Sequence, residues 1–204
     1  NNVPKNRVLK SKAKEILGAS TNEILGASAS DILSESDVIY VDSTKGNDNN
    51  DGSESNPVKT FVKALSLVSA GGTIILKDGT YTVPVQNPTT YTISKSVSIK
   101  GTNREKSILS FAGGFTGTLV LNPGDGGFVD FSNLTIKAVP VAMDAQSQLG
   151  ISTGSSNFIN VTFDAMKTIA VYSKASFINC SFNKCAPVQN SIFGAIRTPW
   201  EKVI

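Results

Sequence analysis

The chain changes its hydrophobic rhythm twice. Residues 15–36 carry isolated Ile-Leu pairs in three near-copies of one motif: Glu15-Ile16-Leu17-Gly18-Ala19-Ser20, Glu23-Ile24-Leu25-Gly26-Ala27-Ser28 and Asp31-Ile32-Leu33-Ser34-Glu35-Ser36. The period of eight residues fits neither a heptad nor an 11-residue coiled coil, and the repeated glycines weaken a helix. Residues 1–37 therefore read as a flexible low-complexity tail, a linker between an export signal and a folded domain. The alternative is that each Ile-Leu pair lies down as a short strand on a sheet edge, its own or a neighbour's. That would allow strand-exchange assembly through residues 15–36.

At Val38 the pattern becomes that of a folded domain. Val38-Ile39-Tyr40-Val41 is a compact β run rich in branched and aromatic residues. The stretch from Asp42 to Pro57 is almost wholly Asp, Asn, Gly, Ser and Thr, which is turn chemistry. Asn56 as an N-cap and Pro57 as a first helical residue predict a helix, with Val58, Phe61, Val62, Leu65 and Val68 at helical spacing and Gly71-Gly72 as its stop. Residues 38–72 thus form a cap of strand, loop and helix. From 73 to 204 the chain turns to short β runs broken by Gly, Asn and Pro. They are predicted at 73–77, 80–83, 91–93, 96–100, 107–111, 117–121, 128–131, 134–137, 158–159, 161–163, 169–172, 177–178 and 180–182.

Three of these runs align. Phe131-Ser132-Asn133-Leu134-Thr135-Ile136, Phe158-Ile159-Asn160-Val161-Thr162-Phe163 and Phe177-Ile178-Asn179-Cys180-Ser181-Phe182 share the form Phe-x-Asn-apolar-Thr/Ser-Ile/Phe, spaced by 27 and then 19 residues. Val97-Ser98-Ile99-Lys100 and Ile74-Ile75-Leu76-Lys77 read as degenerate earlier copies. A period of this size indicates a stacked array, and strands this short fit a parallel β-helix better than a propeller or a leucine-rich repeat. One coil cannot bury its apolar side chains alone. Coils stacked at about 4.8 Å let each strand pair above and below. Asn133, Asn160 and Asn179, each at a sharp bend, are then expected to point inward and hydrogen-bond to one another as a ladder.

The segment Ile39 to Gly52, with Asn56-Pro57, the short helix and Gly71-Gly72-Thr73-Ile74-Ile75-Leu76-Lys77-Asp78-Gly79-Thr80-Tyr81, resembles the start of right-handed parallel β-helix proteins, the pectin-lyase-like superfamily. With the acidic tail repeats, the chain is most similar to adhesin-like surface proteins of methanogenic archaea. The resemblance covers about residues 15–185. It implies that the loop and helix close the N-terminal end of the solenoid. It identifies architecture well and activity poorly, since that scaffold carries lyases, hydrolases, phage tailspikes and adhesins alike.

Composition narrows the chemistry. Of 204 residues none is histidine, which removes Ser-His-Asp and Cys-His nucleophile systems and every imidazole metal site. Charged residues make up 17%, against about 25% in an average soluble domain. The net charge is only +3, and Lys5, Arg7, Lys10, Lys12 and Lys14 bunch in the tail without aromatic neighbours, which speaks against nucleic-acid binding. No apolar run reaches the roughly 18 residues of a membrane span. The chain begins at Asn1, as expected of a mature or truncated product. Cys180 and Cys185 are too few for a zinc site or a disulfide framework. Cys180 is expected as a free buried thiol, with a Cys180–Cys185 disulfide the alternative.

Among candidate ligands, Asp42, Asp48 and Asp51, with Glu54 nearby, offer oxygens for calcium, although the spacing is not that of an EF-hand and the same residues are ordinary turn formers. Asn133, Asn160 and Asn179 are also N-glycosylation sequons, a reading that a buried ladder excludes. Lys77, Lys100, Lys137, Asp164 and Asn183 each follow a repeat strand and are expected to form a solvated polar column. Pectate-lyase-like catalysis in the superfamily would require an acidic calcium cluster and a basic residue, and inverting glycosidases a carboxylate pair about 6.5–9.5 Å apart. Asp125, Asp130, Asp144 and Asp164 show no such pairing. Arg197-Thr198-Pro199-Trp200 breaks the repeat without resembling a cap, so the solenoid is expected to continue beyond this chain. The sequence thus predicts an extracellular, cell-surface, all-β solenoid with no catalytic residues and no cofactor beyond that calcium. Its role would be adhesion, envelope structure or fibre assembly, with surface glycans or other copies of itself as partners. A polysaccharide lyase or glycoside hydrolase of the same fold is the alternative.

Overall fold

The computed structural model describes residues 37–84, 90–113, 118–140, 148–166, 168–185 and 189–190. The tail repeats, Asp144 and the segment around Trp200 lie outside the described residues. The described chain is a parallel β-helix. Strands β1 (Val38–Val41), β2 (Thr73–Leu76), β5 (Val97–Gly101), β8 (Val129–Pro140), β10 (Ser155–Asp164) and β12 (Lys174–Ile178) stack in that order. β3 (Gly79–Val83) and β6 (Ser107–Gly113) join the same sheet through the second half of β8, and β13 (Ser181–Asn183) pairs with β10. A second sheet stacks β4 (Thr90–Ile93), β7 (Thr118–Leu121), β9 (Gln148–Ile151), β11 (Thr168–Val171) and β14 (Gln189–Asn190). Every strand pairing is parallel, as stacking of successive turns requires.

Alternating residues fill the interior. Ile74, Ile99, Phe131, Phe158 and Phe177 are register partners in one column. The Phe131 and Phe158 rings stack at 5.3 Å and those of Phe158 and Phe177 at 5.0 Å, close to the strand spacing. Beyond the bend Leu109, Ile136, Phe163 and Phe182 form a second column, and Leu119, Leu149 and Ile169 line the opposite sheet. All but the two phenylalanines of the last turn are buried.

The early repeat copies occupy a different register from the one expected. Ile99 pairs with Phe131, so Lys100 lies beside Ser132 rather than Lys137. The alignment on a terminal lysine missed this because Thr102–Lys106 is inserted between Gly101 and the strand that continues the repeat at Ser107. Gly101 is needed at that junction: a β-carbon there would overlap the Asn133 carbonyl oxygen.

The helix is also shorter than predicted. α1 spans Phe61–Leu67 and its N-cap is Thr60, whose hydroxyl accepts a hydrogen bond from the Lys63 amide. Asn56 and Pro57 precede it, because Val58 bridges to Val41 as a strand residue and Asp48 holds the next two amides. Tertiary pairing of those backbone groups outweighs local capping preference. At the other end Lys95 reaches back, its ammonium donating to the carbonyls of Leu65 and Val68 at 2.8 and 2.9 Å. The loop covers the outer edge of β1: Tyr40 N–H donates to Gly52 O, Val58 N–H to Tyr40 O and Asp42 N–H to Val58 O. That edge is therefore not open for strand pairing.

Candidate functional site

Asn133, Asn160 and Asn179 all sit at positive φ, +54°, +56° and +52°. Asparagine tolerates this left-handed conformation better than most residues. The bend lets two successive residues, such as Ile159 and Asn160, leave the interior before Val161 returns to it. The side-chain amides form a continuous run. Asn133 Nδ2 donates to Gly101 O at 2.9 Å, Asn160 Nδ2 to Asn133 Oδ1 at 2.8 Å, and Asn179 Nδ2 to Asn160 Oδ1 at 2.9 Å. The run lies at the corner between two strand segments and not in the apolar interior: Asn133 and Asn160 are half-buried and Asn179 is exposed.

Past this corner the outward residues form two register columns, Ile108–Thr135–Thr162–Ser181 and Ser110–Lys137–Asp164–Asn183. The loop Thr102–Lys106 rises beside them and makes a groove of about 500 Å³. The loop is self-braced, with Asn103 Oδ1 accepting from the amides of Glu105 and Lys106. It is tied to the sheet where Thr135 Oγ1 donates to Arg104 O at 2.7 Å. Arg104 then crosses the turns above. Its Nε donates to Thr162 Oγ1 at 2.9 Å, Nη1 to Asn160 Oδ1 at 3.0 Å, and Nη2 to Val161 O at 3.3 Å and Ser181 Oγ at 2.6 Å. The guanidinium is thus held by neutral oxygens of β10 and β13, and its charge meets no carboxylate within ion-pair distance among the described residues. Lys137 and Asp164 pair with each other at 3.6 Å. Glu105 stands exposed on the rim.

The predicted polar column is therefore split. Lys137, Asp164 and Asn183 line the groove, whereas Lys77 and Lys100 fall outside it, because the loop insertion displaces the register of the earlier turns. Asp130 belongs to another outward column, where its Oδ1 accepts from the amide and the Nδ2 of Asn157. Asp125 lies exposed in the turn after β7. Arg104, the residue that organises the groove, was missed by the sequence reading. Its signal was the charged run Arg104-Glu105-Lys106 interrupting an otherwise apolar strand repeat.

Asp42, Asp48 and Asp51 belong to three separate turns of the cap and do not converge. Asp42 Oδ1 accepts from the amides of Thr44 and Lys45, and Asp51 Oδ1 from the amide and hydroxyl of Ser53. Asp48 Oδ1 accepts from the amides of Lys59 and Thr60, and its Oδ2 from the Thr60 hydroxyl. Among the described residues no group of three or more acidic or cysteine side chains is placed to hold a metal ion. In this arrangement each carboxylate is turned towards amides of its own loop or of the helix start.

Those hydrogen bonds lower all three carboxyls below the ordinary aspartate value. For Asp42 the Lys45 amide is the main cause, and for Asp51 the Ser53 amide. At Asp48 burial is the largest single influence and raises it, but the bonds from Thr60 and Lys59 together overcome that. A carboxyl lowered in the folded state stabilises the fold above the unfolded value of about 4, and the contribution is lost as pH falls through the folded value. At pH 7 the Asp48→Asn variant should therefore be less stable than the parent by about 1 kcal/mol, and the gap should close as the pH falls below about 4. Urea titrations from pH 7 to pH 2 would show it. A gap independent of pH would remove the carboxylate from the account.

Cys180 and Cys185 are free thiols. Cys180 is buried, with Sγ donating to Phe158 O at 3.3 Å, and burial pushes its pKa up. Cys185, half-buried, is raised for the same reason.

The family described as protein of unknown function DUF1565 matches residues 44–178, from inside the cap loop to the end of β12. The chain belongs to the DUF1565 family. That match takes in the cap helix, Asn133 and Asn160 of the Asn corner, and the Arg104 loop. The DUF1565 chain is 27% identical over 129 residues to the uncharacterized protein YwoF of Bacillus subtilis (strain 168), an alignment covering 61% of this chain and 27% of that protein. It thus spans about a quarter of the length of that relative. A solved structure of rhamnogalacturonan lyase aligns with a TM-score of 0.46 at 17% identity, over 73% of this chain and 43% of the lyase. The architecture of this DUF1565 chain is the parallel β-helix that its own strand pairing describes.

Proposed function

We propose that this DUF1565 chain is an extracellular, cell-surface β-helix scaffold whose groove binds surface glycans without turning them over. The observation that supports it most is the state of the groove's charged groups. Lys137 is paired with Asp164, and Arg104 is spent on four protein oxygens. A proton-abstracting base would need a depressed pKa and a free approach to substrate. A hydrolase would need two carboxylates facing one bond. Of the groove's two carboxylates, Glu105 stands exposed on the rim and Asp164 is paired with Lys137, and the hydroxyls and the amide beside them are binding chemistry. The resemblance of the tail repeats together with the cap segment to adhesin-like surface proteins supports the location. Of the roles such a scaffold serves, adhesion suits the groove best. Fibre assembly by stacking on the N-terminal end would have to displace the loop that covers β1.

The test is incubation of the purified chain with neutral and anionic polysaccharides, with and without calcium. Unsaturated products are followed by absorbance, cleavage by reducing ends, and binding by retention on immobilised polysaccharide. Retention without turnover is expected. Turnover of any polysaccharide would establish the competing reading, a lyase or hydrolase.

A further inference from the structure

Resting on that glycan-binding reading, we infer that the groove selects an uncharged, polyhydroxylated saccharide segment and rejects chains of uronic acids. The charges around the groove balance in kind: Arg104 and Lys137 against Glu105 and Asp164. They are also unequally available. The Lys137 ammonium already faces the Asp164 carboxylate at 3.6 Å, while Arg104 is drawn over the floor by Thr162, Asn160, Val161 and Ser181. A carboxylate entering the groove would meet Glu105 on the rim and Asp164 beside Lys137, the cation among the described lining residues that the floor does not hold. It would have to break the Lys137–Asp164 pair to gain a partner of its own, leaving Asp164 uncompensated. A cationic ligand meets the converse problem at Arg104. A sugar hydroxyl both donates and accepts, so it can use the Asp164 and Glu105 oxygens, the Lys137 ammonium and the exposed Asn183 amide without separating any pair. Ile108 is the one apolar side chain among the described residues of the lining, which disfavours a hydrophobic occupant. A volume of about 500 Å³ lies within the range of small-molecule sites, enough for a short saccharide segment.

Selection by charge has a consequence that a purely structural ion pair would not have. Asp164→Asn removes the acid and releases Lys137, so it should raise affinity for uronic-acid oligosaccharides relative to neutral ones, and the ratio of the two affinities is the readout. Glu105→Gln, on the exposed rim, should shift the ratio in the same direction by a smaller factor and guards against a folding defect in the first variant. The full chain and both variants are titrated by calorimetry with neutral oligosaccharides and with uronic-acid oligosaccharides of matched length. Backbone amide shifts of Thr135, Thr162 and Asn183 locate the binding. Expected is a preference of about tenfold or more for the neutral chain in the parent, shrinking several-fold in Asp164→Asn. Equal or tighter binding of the uronic-acid chain by the parent, with shifts at those residues, overturns the selectivity and leaves the glycan reading standing. A ratio unchanged in both variants also overturns it. Binding of neither class sinks the inference and the glycan reading together.

Discussion

Replacing Phe158 with Ala lowers the free energy of unfolding by about 3–5 kcal/mol. Phe158 is fully buried and stands in the middle of the ring column. Phe131 stacks on it from one side and Phe177 from the other, with interplanar angles of 6° and 8°, and Phe163 meets its edge at 5.2 Å. Truncation loses the transfer free energy of the ring and leaves a cavity. The cavity cannot collapse readily, because the strands above and below are held at hydrogen-bonded spacing by the ladders of β8, β10 and β12. A solenoid adds a second effect. Each turn contacts only its neighbours, so a weak link in β10 uncouples the last turns from the cap-side turns. Urea unfolding followed by circular dichroism should show the lower midpoint and a broadened or split transition. A loss below about 1.5 kcal/mol with an unchanged slope would mean that the ring column is not the main support of these turns. Phe158→Leu, which keeps most of the volume, should cost far less.

Asn160→Ala has the second largest expected effect, a loss of about 2–4 kcal/mol. Two costs combine. Alanine at φ +56° carries the left-handed penalty of roughly 1–2 kcal/mol. The lost amide also strands three partners: Asn133 loses a donor, and Asn179 and Arg104 lose a common acceptor. The two costs separate experimentally. Asn160→Gly accepts the backbone angle and should recover about 1 kcal/mol of the loss, while still lacking the amide. Thermal melts of parent, Ala and Gly variants make the comparison. Equal melting temperatures for Ala and Gly would remove the backbone part of the explanation, and a Gly variant as stable as the parent would remove the ladder part.

Much of this architecture is readable from residue order. The Phe-x-Asn-apolar-Thr/Ser repeat specifies an inward ring, a bend and a return to the interior. Those are local matters of side-chain type and backbone tolerance, so the ring column and the amide run follow once copies of the repeat stack. The Asp/Asn/Gly-rich stretch from Asp42 to Pro57 likewise announces turns. The start of α1 was misplaced because Asn56-Pro57 is a sound local capping signal, and it lost to Asp48, eleven residues before Lys59, whose amide it binds. Lys95 closing the far end of α1 from thirty residues beyond Leu65 leaves no local trace at all. Asp42, Asp48 and Asp51 are neighbours in sequence, and in the fold each turns towards amides of its own loop or of the helix start.

The groove shows the same division more sharply. That Lys137, Asp164 and Asn183 share a column follows from equivalent positions in the repeat. That Lys77 and Lys100 do not share it, and that Arg104 lies across two further turns, depends on where the Thr102–Lys106 loop lands beside the stack. Residue order alone specifies the periodic features here, the parallel coil, its aromatic interior and its Asn corner, because stacking copies repeats one local solution at a constant spacing. The aperiodic features, the register of the early turns, the pairing of Lys137 with Asp164 and the position of Arg104, are set by long-range packing. Those depend on which residues of different turns come within hydrogen-bonding reach, and an inserted loop changes that without altering any local pattern.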